Sequence, residues 1–306
     1  MANKKNSGRI NARNVKSIDV VDVDQIPAGA DVKEGGIELE GAPEDVARVE
    51  LMARAAGKLI VAIPYLAKGA QGRELEYAVA GIRKHFLYDE YFIVIVGDHH
   101  PIVESGEDIG FVVCPQIEEV PEGMYRPHLD HINKILALKE AFPGHRDFVW
   151  QADDVYAVND YDMIDVCFLK AVSKEIENGD PYSENGFKRD KARTKAALLA
   201  NGRPVHNYTT HLPRYYRMDF IKELIEKYDL THNSYVLEDL YFNTFFPTKV
   251  PFVLSFDKDN LKCGVYRSNP RIWAIEEAFT NKIWINNSPE GWIPELDKLL
   301  AEHYGI

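Results

Sequence analysis

A chain of 306 residues, 45% hydrophobic and 27% charged, is long enough for one large α/β domain with a buried core. Its 48 acidic and 36 basic residues give a net charge of −12, which disfavours a partner held mainly through phosphates, although the short cluster Lys188-Arg189-Asp190-Lys191-Ala192-Arg193 stops short of excluding nucleic acid. No run approaches the ~20 apolar residues of a membrane helix, and Cys114, Cys167 and Cys263 form no CxxC pair or disulfide framework, so a reducing cytoplasm is the expected setting.

Residues 1–56 read as an arm, with a short strand at 17–23 and a helix at 43–56 that opens on Pro43, Glu44 and Asp45 and stops at Gly57. The pattern then changes. Leu59-Ile60-Val61-Ala62-Ile63, closed by Pro64, is a continuous apolar run of the kind buried on both faces of a sheet. A helix is expected at 73–86, with Leu75, Val79 and Ile82 on one side. Strands follow at 91–96 and 111–114, a helix at 130–142, and a strand at 148–151. Strands alternating with helices predict an α/β fold, a Rossmann-like, mainly parallel sheet flanked by helices, with an irregular helical C-terminal region. Beyond this the spacing predicts a helix at 162–176, a polar loop or flap at 178–193, and helices at 191–200, 218–228, 236–245, 271–280 and 293–303.

Ligands of such sheets lie beyond the carboxyl ends of the strands. Pro64-Tyr65, Gly97-Asp98 and Asp153-Asp154 fall there. The last pair is the strongest signal: Phe148-Val149-Trp150-Gln151-Ala152-Asp153-Asp154 delivers two carboxylates to a sheet edge. Mg²⁺ and Mn²⁺ take one or two carboxylates together with phosphate oxygens, and a leaving nucleoside diphosphate needs such an ion. The competing reading is an acidic cap on a loop or helix.

Several short pieces resemble one family in order and spacing. They are Arg73-Glu74-Leu75-Glu76-Tyr77 with Ile82-Arg83-Lys84-His85, Phe92-Ile93-Val94-Ile95-Val96-Gly97-Asp98, Asn133-Lys134-Ile135, Gln151-Ala152-Asp153-Asp154, and His211-Leu212-Pro213. Across about residues 59–245 the chain resembles glycosyltransferases of the A-type fold, and more closely the bacterial and phage sugar-transfer proteins related to the Stealth sugar-phosphate transferases. It departs from them at Ala152, where that family has Asn, and in residues 1–56. The resemblance implies a divalent metal, Mn²⁺ or Mg²⁺, on Asp153 and Asp154, with His211 in the metal–diphosphate region. It implies a base at Asp239 or Glu238, acids that would otherwise only suit the start of a helix. A metal-binding histidine normally follows that pair in the A-type pattern, whereas His211 precedes it, which favours the Stealth-like ordering.

By position, Pro64, Tyr65 and Asp98 are candidates for the donor base and ribose, and Arg73 and Lys134 for the diphosphate. The expected organisation is an arm over 1–56 and a catalytic domain over 57–306, with a nucleotide-sugar half at 57–160 and an acceptor half at 161–306. The expected activity is transfer of a sugar from a nucleotide-sugar donor, a UDP-sugar first, to a hydroxyl acceptor on a glycan, protein or modified nucleobase. Its rivals are sugar-1-phosphate transfer and a non-catalytic nucleotide-binding protein. Of the aromatics, Tyr215, Tyr216, Trp273, Trp284 and Trp292 are candidates for stacking on sugars, against a role in the core or a lid.

Overall fold

The computed structural model describes residues 43–255 and 258–306. The strand expected at 17–23 lies outside them. The first half runs α1 (Pro43–Ala55), β1 (Leu59–Tyr65), α2 (Glu74–His85), β2 (Tyr91–Gly97), β3 (Ile109–Val113), α3 (Arg126–Ala141), β4 (Asp147–Trp150) and β5 (Val155–Ala157). The second half runs α4 (Met163–Cys167), β6 (Lys170–Ala171), α5 (Gly186–Ala200), β7 (Arg214–Arg217), α6 (Met218–Tyr228) and α7 (Leu237–Phe245). It closes with β8 (Phe252–Val253), β9 (Lys262–Val265), α8 (Ile272–Asn281), β10 (Trp284–Asn287) and α9 (Pro294–Tyr304).

The fold is mixed α/β. Its main sheet has the order β3-β2-β1-β4-β7, and only β7 runs antiparallel. The continuous apolar runs are explained by helices on both faces. In β1, Ile60 and Ala62 pack with Ile132, Ile135 and Leu138 of α3, while Leu59, Val61 and Ile63 pack with Leu75, Val79 and Ile82 of α2. Each of these Ile, Leu and Val side chains contributes about 1.5–3 kcal/mol by leaving water. A second sheet, β5-β10-β9, forms a third core with the far side of α2, α8 and α9. No helix among the described residues is long and apolar enough to cross a membrane.

Three expectations are corrected. β1 does not stop before Pro64 but runs through it to Tyr65. The Gln151 N–H bonds the Ala62 carbonyl, which makes even-numbered residues of β1 face β4. At Pro64 that neighbour has already ended, so no ladder bond is lost to proline's missing N–H and the two strands part. The helix expected over 162–176 is only the short α4. Met163, Val166, Cys167 and Phe168 enter one core, whereas Leu169, Ala171 and Ile176 enter the other, so no single helix could serve both. The buried Lys170 ammonium ends α4 by donating to the carbonyls of Asp165, Val166 and Phe168 at 2.5, 3.0 and 3.0 Å.

Residues 186–190, expected within a loop, form the start of α5 instead, ahead of the helix expected from 191. Its inward stripe is ionic: Asp190, fully buried, accepts from His128 at 2.6 Å, Arg193 at 2.7 Å and Ser234 at 2.8 Å. Asn185 caps this helix, its side chain accepting the Lys188 N–H.

Candidate functional site

A cavity of about 330 Å³ opens where β1 and β4 part, at the carboxyl ends of the strands. That volume lies within the range of small-molecule sites. Its walls include Pro64 and Tyr65 from β1, Gln71 and Glu74 from before and at the start of α2, Pro127, Asp130, His131 and Lys134 from one side of α3, and Trp150, Asp153 and Asp154 from the end of β4 and just after it. Ser288 and Pro289, which follow β10, complete it.

The acidic pair sits where the chain leaves the main sheet for the second one. Gln151 holds that turn, its side-chain amide donating to the Val155 carbonyl at 3.0 Å. Burial pushes the Asp153 carboxyl up to about 8, with Asp154 and Glu74 adding to the effect. Burial and Glu74 push Asp154 up to about 7, against the pull of Lys262 and Arg214. Glu74 is itself raised by burial, although it accepts from the Asn287 side chain and the Gln71 N–H, each at 2.6 Å. One oxygen of Asp154, Oδ1, is buried without a hydrogen-bond partner. Carboxylates crowded this way, one of them incompletely satisfied, suit a hard divalent cation. Among the described residues no three of His, Cys, Asp and Glu are placed to enclose an ion, so the remaining positions would fall to ligand oxygens and water.

In the wall from α3, Lys134 is buried and pairs with Asp130 one helical turn away. Beside its stem the chain requires glycine at 97, chiefly because the Tyr65 backbone stands so close. Gly97 has φ 142°, and a Cβ there would stand 1.9 Å from the Tyr65 carbonyl oxygen and 3.0 Å from Lys134 Cε. Gly97→Ala is therefore expected to cost at least about 2 kcal/mol of stability in urea unfolding and to weaken any ligand held by Tyr65 and Lys134. His131 stacks on Trp150 with ring centroids 4.6 Å apart, and burial lowers its pKa to about 3, so it is neutral with Nε2 unpartnered.

Of the residues singled out from the sequence, Pro64, Tyr65, Lys134, Asp153 and Asp154 converge on this cavity. Asp98 stands beside Tyr65, its carboxylate accepting the Ala67 N–H at 2.9 Å. Arg73 points elsewhere: it pairs with Glu76 and lies over the Tyr77 ring, lining a separate groove. The neighbouring Glu74 takes the inward position. His211 is exposed, in a left-handed backbone conformation (φ 57°). The protein packed around its ring, with Lys262 and Arg214 nearby, lowers its pKa. It does not complete a three-residue set with the aspartates.

Asp239 and Glu238 are not brought into the cavity. Asp239 is fully buried, with one oxygen accepting the Tyr208 N–H at 2.5 Å and the other unpartnered. Glu238 pairs with Arg214 at 3.2 Å; burial opposes its charge, but Arg214 and His131 hold it down at about 2. Replacing one member of a buried pair strands the other, so Glu238→Gln is expected to cost about 3–5 kcal/mol in urea unfolding. Lost activity with unchanged stability would mark it as a working acid instead. Tyr215, Tyr216 and Trp284 are core, Trp292 packs over Gly72, and Trp273 is 58% exposed.

Sequence reading missed Glu74, His131, Ser288, Lys262 and Arg214. Glu74 lay inside a quoted motif, one residue from the arginine chosen; the others carry no local signal.

No protein-family model matches the chain, and no curated protein is similar to it. Solved structures are similar at low identity. One is a glycosyltransferase involved in the glycosylation of the major capsid of PBCV-1 (12% identity, TM-score 0.36, 81% of this chain and 100% of that one). Another is the bifunctional glycosyltransferase WbbM in its apo form (11%, TM-score 0.41, 81% of this chain and 49% of that one). A third is the galactosyltransferase LgtC in complex with donor and acceptor sugar analogs (12%, TM-score 0.38, 81% of this chain and 95% of that one).

Proposed function

We propose that the chain is a metal-dependent glycosyltransferase that moves a sugar from a nucleotide-sugar, a UDP-sugar first, to a hydroxyl acceptor. The observation that carries this reading is the convergence of Asp153, Asp154 and Glu74 on one cavity at the strand ends, lined also by Tyr65 and Lys134. Asp153 and Asp154 would hold Mn²⁺ or Mg²⁺, which when bound supplies positive charge to a departing diphosphate. Pro64 and Tyr65 shape the side where the β1–β2 edge would receive the nucleoside. Lys134, paired with Asp130, brings its amino group to the same cavity. Lys262 and Arg214, the cations acting on Asp154, oppose charge built up on its far side.

The test is a thermal-shift screen of UDP-, GDP-, ADP- and CMP-sugars with and without Mn²⁺, followed by product analysis. A native-state ligand at 100 times its dissociation constant adds about 2.7 kcal/mol. A shift with one nucleotide, dependent on the cation, and release of a nucleoside diphosphate are expected. Release of a monophosphate would replace this reading by sugar-1-phosphate transfer of the Stealth type. No shift with any of the four would overturn both.

A further inference from the structure

The second sheet carries an aromatic side chain to the acidic pair that the cavity does not use. Gly264 of β9 pairs with Asn286 of β10, and Asn286 with Val155 of β5. One step on, the Asn287 N–H reaches the Asp154 carbonyl at 3.4 Å and the Ser288 N–H bonds the Val265 carbonyl at 3.0 Å. Asp154, Ser288 and Tyr266 therefore share one end of that sheet, with β10 between the first and the last. Lys262, Gly264 and Tyr266 alternate onto one side of the strand.

There the Tyr266 ring folds back over Gly264, where a Cβ would lie 2.3 Å from ring Cε2 and 2.5 Å from Cζ. Its hydroxyl donates to Asn286 Oδ1 at 3.0 Å, and Lys262 Nζ stands 5.4 Å from the ring centroid. The ring is thus held at both ends, yet the residue remains 48% exposed. An aromatic side chain fixed in this way and still half exposed is a surface for flat, partly apolar ligands, and little entropy is lost when one binds.

We infer that Tyr266 is the stacking platform for a sugar ring of the acceptor, outside the cavity and next to Asp154. This rests on the transferase reading, because the acceptor must come up beside the acids. A pyranose offers the ring an apolar C–H face and offers Lys262 its hydroxyls. A polyanion would instead meet Asp153, Asp154 and Glu74.

Saturation-transfer NMR with the methyl α- and β-pyranosides of glucose, galactose and mannose, in UDP and Mg²⁺, tests this on wild type, Tyr266→Phe, Tyr266→Ala and Gly264→Ala. The wild type and Tyr266→Phe are expected to bind at least one pyranoside through the protons of one face. Tyr266→Ala, and Gly264→Ala through its displaced ring, are expected to bind it about tenfold more weakly. Absence of a pyranoside signal in the wild type, or an undiminished signal in Tyr266→Ala, overturns the platform. Calorimetry of UDP with Mg²⁺ on the same samples separates the two readings: if the wild type does not bind UDP, the donor assignment fails, while the pyranoside signals still decide the role of Tyr266.

Discussion

Asp153→Asn is expected to reduce sugar transfer by roughly 10³-fold and, in metal-free buffer at pH 8, to make the protein more stable. The two halves of this prediction have one cause. Asp153 is crowded by burial, Asp154 and Glu74, an arrangement that costs folding energy unless a cation neutralises it. Asparagine keeps the shape and removes the charge. A structural aspartate would behave oppositely, since its loss would weaken the fold. Activity assays and urea unfolding on the same preparations separate the cases, and Asp154→Asn should follow the same pattern.

The gap in stability between wild type and Asp153→Asn is expected to widen with pH. The folded pKa of Asp153, about 8, lies above its ordinary value of 3.8, so the folded state holds a proton that the unfolded chain has released. The contribution is fully present below about 4 and is lost as pH rises toward 8, at about 1.4 kcal/mol per pH unit. Comparing the two proteins is necessary because the buried, neutral His131, with its pKa lowered to about 3, tilts the profile the other way below about 6.5. Saturating Mg²⁺ should stabilise the wild type above pH 7 and leave Asp153→Asn nearly unchanged. Urea titrations at several pH values, with chelator or with Mg²⁺, measure this. A constant gap would mean the carboxyl is not strained in the folded state.

What could be read from the sequence follows from how local each cause is. β1, β2 and β4 were legible because burial on both faces writes an unbroken apolar run, and α6 because its apolar residues keep a helical period. α5 hid its start because its inward residues are charged and satisfied by partners on α3 and before α7. The stretch after Asp162 deceived because its apolar residues divide between two cores. β5, β9 and β10 are three or four residues long and gain their meaning only from pairing, β9 with β10 across a helix and β5 with β10 across more than a hundred residues.

The site divides in the same way. Asp153 and Asp154 are carried by a strand the pattern marks, and Tyr65 and Lys134 by elements beside it. At the start of α2, one residue of helical rotation decides that Glu74 and not Arg73 faces inward. Ser288 and Lys262 depend on long-range register, which no local spacing encodes. Glu238 and Asp239 look like a site pair in sequence because an acidic helix start is common to both roles; in the fold they lie outside the cavity, with Arg214 and the Tyr208 N–H as partners.

The most direct test is calorimetric titration of UDP into wild type and the Asp153→Asn/Asp154→Asn double variant, each with Mg²⁺ and with chelator. Binding that is at least about tenfold tighter with Mg²⁺ in the wild type, and indifferent to the cation in the double variant, is the predicted result. Equal affinity with and without Mg²⁺ in the wild type, or a cation effect that survives in the double variant, would contradict it.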